Sequence, residues 1–212
     1  MTFDEVERAT GKAGLAVLGI AEDDGPVVLL GLSREGWTIF TASPEHADGK
    51  LDPLDRWSMR IVGALTERLG ARPAFPFGGP PYAPFLRWAA ASGRMWSSPL
   101  GMSIHDEHGL WMSFRGALRF TSLDGIPEVA AERPCEGCAA RPCLNACPVD
   151  AFQGSTYDVA RCAAHVASRE GAACRERGCL ARRACWVGQD WVPEPERAAF
   201  HMRAFLRARS ET

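Results

Sequence analysis

From Leu15 onward, apolar stretches alternate with short polar turns. LAVLGIAE (15–22), VVLLGLS (27–33) and WTIFTAS (37–43) are each strand-like, and DDG and REG turns separate them, which predicts an antiparallel meander. Ahead of the first, Thr2 and Glu5 stand three apart, the spacing of a capping box, for a short helix ending near Gly11. The apolar period then changes. Asp52 and Pro53 read as N-cap and first residue of a helix running to Gly70, with Leu54, Trp57, Ile61, Leu65 and Leu69 on one face. FPFGGPPYAP (75–84) holds neither period, because its prolines remove donors and its glycines loosen the backbone; a loop follows. A short helix (85–92), two strands (about 101–105 and 110–120) and a striped helix, EPERAAFHMRAFLRARS (194–210), complete the expected elements.

Composition adds a division. With 212 residues and 46% hydrophobic content, the chain can bury a core as one large or two small domains. All eight cysteines lie between Cys135 and Cys185. Residues 1–132 hold 12 basic and 17 acidic groups, a net of −5; residues 133–212 hold 12 and 9, a net of +3, and every base there is arginine. The expected organisation is a cysteine-free domain over 1–126 and a cysteine-rich module with a terminal helix over 127–212. The overall charge of −2 gives no reason to expect nucleic acid, and no apolar run approaches the length of a membrane span. MTFDEVERATGKAG lacks the basic-then-apolar order of a secretory signal, so a reducing, cytoplasmic location is the default expectation.

CEGCAARPCLNACPVD (135–150) concentrates four cysteines in thirteen positions and follows the last with proline. Disulfides, zinc and iron–sulfur can each hold clustered cysteines. Disulfides suit exported chains, and structural zinc usually takes two pairs separated by a dozen or more residues. The spacing C-x2-C-x4-C-x3-C-P is close to the bacterial ferredoxin run C-x2-C-x2-C-x3-C-P. Eight cysteines suffice for two [4Fe–4S] clusters. The crossed pattern would give Cys135, Cys138, Cys143 and Cys185 to one, and Cys147, Cys162, Cys174 and Cys179 to the other. The later spacings are irregular and Trp186 stands where a ferredoxin has proline, so one cluster with free cysteines stays open. Arg133, Arg141, Arg161, Arg175, Arg177, Arg182 and Arg183 lie among the cysteines, and their summed field would favour a reduced cluster.

SIHDEHGLWMSFRGALRFTSLDGIPE (103–128) carries the pattern I-H-x-x-x-G-x-W-x-x-x-R-G through Ile104, His105, Gly109, Trp111, Arg115 and Gly116. It resembles the cobalamin-processing (cblC-type) proteins, with weaker similarity in GLSREGWTIFTAS (31–43) and DPLDRWSMRIV (52–62), over roughly residues 27–126. The cysteine module resembles the two-cluster ferredoxin domain joined to a corrinoid-binding domain in epoxyqueuosine reductase. That family's R-D-Y-H segment is absent, so its substrate chemistry does not carry over. The resemblance implies that His105, Trp111 and Arg115 face a corrinoid. The residues themselves also allow a backbone-bonded His105, a core Trp111 and an Arg115 paired with a carboxylate. His108 reads as a solvated turn residue, and FPFGGPPYAP either lines a ligand or is a rigid connector. Asp106, Glu107, His108 and Tyr82 are conceivable proton donors, and no phosphate loop, Rossmann fingerprint, nucleophile elbow or HExxH motif occurs.

The expectation is therefore an α+β protein with an antiparallel-sheet N-terminal domain and a ferredoxin-like Cys-rich C-terminal module. It would pass single electrons from [4Fe–4S] clusters, supplied by a redox partner protein, to a cofactor such as cobalamin. Whether it is itself a reductase stays open. The alternatives are a non-catalytic electron carrier or partner-docking subunit, and a zinc-stabilised structural module.

Overall fold

Thr2 caps the first helix, α1 (Phe3–Lys12), through both halves of the box: the Glu5 carboxylate accepts Thr2 N–H at 2.8 Å and the Thr2 hydroxyl accepts Glu5 N–H at 3.4 Å. Strands β1 (Leu15–Glu22) and β2 (Pro26–Leu32) follow, then α2 (Gly36–Thr41), α3 (Pro44–Ala47), α4 (Pro53–Leu69), β3 (Arg72–Ala74), α5 (Phe85–Ala91) and β4 (Met95–Ser97). Next come β5 (Ser103–His105), β6 (Phe114–Arg119), α6 (Pro142–Asn145), β7 (Phe152–Gln153), β8 (Thr156–Tyr157) and α7 (Val159–Ala167). Helices α8 (Ala172–Arg177) and α9 (Leu180–Arg183), a single 3-10 turn (Gln189–Trp191) and α10 (Pro195–Ser210) end the fold. The computed structural model describes residues 1–153 and 156–210. Among them, no helix is long and apolar enough to cross a membrane.

Contacts divide the chain into two units. A sheet unit comprises Met1–Met95 and Met112–Ala131, and a thiol unit comprises Trp96–Trp111 and the chain from Glu132 onward. The excursion 96–111 groups with the cysteine-bearing segment.

In the sheet unit four strands run in the order β1-β2-β6-β3, every pair antiparallel. Every residue of β2 is buried, as a central strand covered on both faces requires. Leu18, Val27, Leu29, Phe85, Trp88 and Ala117 pack together on one face. The alternate residues Val28, Leu30 and Leu118 are equally buried, and α4 packs against β6. The segment expected as a third meander strand, 37–43, is instead largely α2. Trp37 and Phe40, three apart, are both buried while Ile39 between them is 39% exposed, which fits a helical face and not alternation. The Ser33 hydroxyl accepts Gly36 N–H at 3.0 Å and starts the turn. Residues that favour strands were overridden by tertiary packing.

The thiol unit is made of small pieces. Leu100, Ile104 and Leu110 from the excursion pack with Cys143, Ala181, Cys185 and Val187. Helix α10 lies against α7 and α8, and α6 against α9. The expected fold class is corrected accordingly. The structure is a mixed α/β fold with small open sheets, and among the described residues no group of His, Cys, Asp or Glu is disposed as the metal-holding core of a ferredoxin-like module.

Candidate functional site

The excursion is fastened by backbone contact. His105 N–H donates to Gly109 O at 2.9 Å and Gly109 N–H to His105 O at 3.1 Å. Gly109 has φ +57, and a Cβ there would run into the Val187 carbonyl; Gly188, φ +73, meets the His108 carbonyl in the same way. Only two glycines permit this approach. His105 is fully buried, and Asp106 Oδ1 lies 2.7 Å from its Nδ1. Glu107 and His108 N–H groups approach the same nitrogen at 3.1 and 3.2 Å. One ring nitrogen cannot serve both kinds of partner. The carboxylate contact is the shortest of the three, and Glu107 N–H also donates to Asp106 Oδ1 at 3.0 Å. His108 is buried rather than solvated, correcting its expected place: it stacks on Trp191 at 3.7 Å and lies 4.4 Å from the His105 ring.

Trp111, also buried, carries the Arg182 guanidinium 4.3 Å above its ring. Arg182 Nε donates to Leu110 O at 3.0 Å and its Nη2 donates to the same oxygen. Burial pushes the Arg182 pKa down, and the neighbouring Cys179 opposes that shift. Trp111 Nε1 has no hydrogen-bond partner among the described residues. Arg115 lies in the other unit, where its Nη1 donates to Asp55 Oδ1 at 3.1 Å. Burial pushes Asp55 up and Arg115 holds it down in part. His105 and Trp111 therefore share a unit that Arg115 does not, and the three expected corrinoid-facing residues do not form one site within either unit.

All eight cysteines are free thiols; Cys143, Cys174 and Cys185 are buried and the others half-buried. They draw into two neighbourhoods. Burial pushes the Cys135 pKa up, and Cys185, Cys143 and Cys138 push it further. Cys143 is raised by burial, then by Cys185 and Cys138. Burial raises Cys162, with Cys147 and Cys174 adding to it, and Cys179 is raised by burial and also feels Cys174. The Tyr157 hydroxyl, likewise pushed up by burial, bonds to Cys162. Cys135 and Cys138 bound one turn, Cys138 N–H donating to Cys135 O at 3.4 Å. Both line an open depression of about 790 Å³ with Ser97, Ser98, Glu136 and Arg141.

Proximity is not a coordination shell. Among the described residues no group of three or more His, Cys, Asp or Glu side chains is arranged to hold a metal ion. The donor set thus does not fit the expected group. This corrects the [4Fe–4S] assignment, the ferredoxin-like electron carrier and the zinc-stabilised module alike. The physical reason is that ligand spacing along a chain sets reach, whereas a metal demands convergent directions. No protein-family model matches the chain, and no curated protein or solved structure matches it significantly. The resemblance to cobalamin-processing proteins and to epoxyqueuosine reductase, and the cobalamin it implied, are corrected on the same arrangement of donors. The sequence presents Arg182 only as one of seven arginines near cysteines, and does not single out Trp191. No local signal distinguishes either.

Proposed function

We propose that the thiol unit performs thiol–disulfide exchange with a redox partner protein, using the pair Cys135 and Cys138. What supports this most is the C-x-x-C turn itself: two free, half-buried thiols three residues apart open onto one depression. A Cys138 thiolate attacks one sulfur of the partner's disulfide. That S–S bond breaks, the departing thiolate takes a proton, and a mixed disulfide remains. The Cys135 thiolate then attacks Cys138 Sγ and releases the partner's second thiol. Two protein thiols have given two electrons and two protons, and the partner holds two thiols. The thiolate is the nucleophile, and burial with neighbouring thiols pushes Cys135 upward, so the closing attack by Cys135 on the mixed disulfide speeds up with pH through and beyond the ordinary thiol range.

The test uses the reduced, full chain and the neutral reagent hydroxyethyl disulfide. Peptide mapping should find a Cys135–Cys138 bond; Cys135→Ser should accumulate the mixed disulfide on Cys138, and Cys138→Ser should abolish it. First oxidation at other cysteines, or stoichiometric metal held by the thiols as isolated, overturns the reading.

A further inference from the structure

We infer that the depression beside Cys135 and Cys138 is a binding site for a small peptide disulfide bearing both carboxylate and ammonium groups, the glutathione class. This rests on the thiol-exchange reading and names the second substrate of the same pair. The volume of about 790 Å³ falls within the range of small-molecule clefts. Its lining includes two hydroxyls and one charge of each sign. Ser97, Ser98, Glu136 and Arg141 line it together with the two thiols.

The two charged residues differ in what already occupies them. Glu136 meets Arg133 at 3.3 Å, with both side chains mostly exposed, so a competing ammonium can replace that partner at little cost. Arg141 is exposed; its carbonyl accepts Leu144 N–H at 3.0 Å, while its guanidinium has no ion-pair or hydrogen-bond partner among the described residues. It stands at φ 40, ψ 52, an uncommon conformation for a residue with a side chain, directly before Pro142 at the start of α6. Its charge reaches the thiols, because Arg141 is among the groups that hold Cys135 down against burial. A guanidinium able to stabilise a thiolate and accept a carboxylate serves the approach of an anionic disulfide and the departure of its thiolate.

The exchange balances as before. Cys138 Sγ bonds to one sulfur of the peptide disulfide, whose S–S bond breaks and whose departing thiolate is protonated. Cys135 Sγ then closes the protein disulfide and releases the second peptide thiol. The reverse direction regenerates the reduced pair at the expense of two peptide thiols.

Oxidation rates of the reduced full chain by glutathione disulfide and by hydroxyethyl disulfide test the site. Each rate is divided by that reagent's rate with free cysteine, and the Cys135–Cys138 bond is followed by mapping. Glutathione disulfide should be preferred by about tenfold, two modest ion pairs' worth, and Arg141→Gln should narrow that preference by about fivefold. Raising the salt concentration should narrow it too. Equal normalised rates for the two reagents overturn the site while leaving the exchange chemistry standing. A preference that Arg141→Gln leaves intact overturns the carboxylate contact. Formation of no Cys135–Cys138 bond by either reagent removes the exchange reading and the site together.

Discussion

The two units fill their interiors with different materials. The sheet unit closes over Trp57, Phe40, Leu18, Leu29 and Leu30, large side chains with no exposed surface to speak of. Of the largest fully buried side chains described, only Ile104 and His105 belong to the thiol unit. That unit packs thiols and small residues with a few aliphatic side chains, and beside the long α10 it carries short helices: α6 and α9 have 4 residues each and α8 has 6. Helices of that length do not persist alone. They hold by packing on one another and on their surroundings, α6 and α8 on α9 and α8 on α10, and Arg182 of α9 is clamped on Leu110 and Trp111. One unit is stabilised by a quantity, buried apolar area; the other by a few specific placements. The first should tolerate scattered damage and the second should not.

The largest expected effect lies in the sheet unit. Trp57→Ala should cost ~3–5 kcal/mol, as loss of a fully buried aromatic does. Segment-resolved hydrogen exchange should rise there while buried Cys143, Cys174 and Cys185 stay slow toward a thiol reagent. Gly109→Ala should do the converse at about 3 kcal/mol, from positive-φ strain and collision with the Val187 carbonyl. Those thiols should become reactive while exchange over β1 and β2 stays slow. If either substitution opens both units to the same degree, the contrast is wrong and the chain melts as one block.

Arg182→Gln should follow at about 2 kcal/mol, since it removes charge-assisted bonds to Leu110 O and the ring contact with Trp111. Arg182→Lys should recover little of that, because an ammonium lacks the planar fork. Thiol reactivity of the half-buried Cys179 is the readout. Equal protection in wild type and Arg182→Gln would show that the clamp is dispensable.

The smallest effects separate the units by pH. Arg60, bonded to Glu45 at 2.5 and 2.9 Å, holds that carboxyl at about 2, below its usual 4.5. A depressed carboxyl stabilises the fold above its unfolded value, and that contribution fades as pH falls from 4.5 toward 2. Arg60 is half exposed, so the pair should contribute no more than about 1 kcal/mol, and Glu45→Gln should flatten the acid limb of sheet-unit stability. The thiol unit has the opposite sign. Cys135, Cys143, Cys162, Cys179 and Cys185 are all raised. Their protonated forms are favoured by the fold, so stability holds below the ordinary thiol value and is lost as pH climbs above it. Thiol-unit exchange should rise first in alkali and sheet-unit exchange first in acid.

The same contrast governs what the sequence discloses. Period and capping are local, so α1, β1, β2 and α4 are legible from residues 2–70. The errors there are local as well: α2 presents β-favouring residues in a three-residue register that only burial of Trp37 and Phe40 reveals. In the thiol unit the cysteine spacing signals that thiols gather, but not in which directions they point, and a metal is decided by direction. Nor does any local pattern say that Ile104, His105 and Trp111 leave the sheet's company for the cysteines, or that Arg182 differs from six other arginines. Those facts depend on partners about eighty positions away.

The excursion 96–111 has a consequence for synthesis. Residues needed by the thiol unit are made in the middle of the sheet unit, and Gly109 waits 78 positions for Val187 to exist. At about 5–20 residues per second, that is a delay of ~4–16 s with Leu100, Ile104 and Leu110 uncovered on the nascent chain. No single cut yields a complete thiol unit either: a fragment beginning at Glu132 lacks the apolar residues its cysteines pack against. Supplying 96–111 in trans, as a separate peptide, is the route by which such a fragment would recover its core.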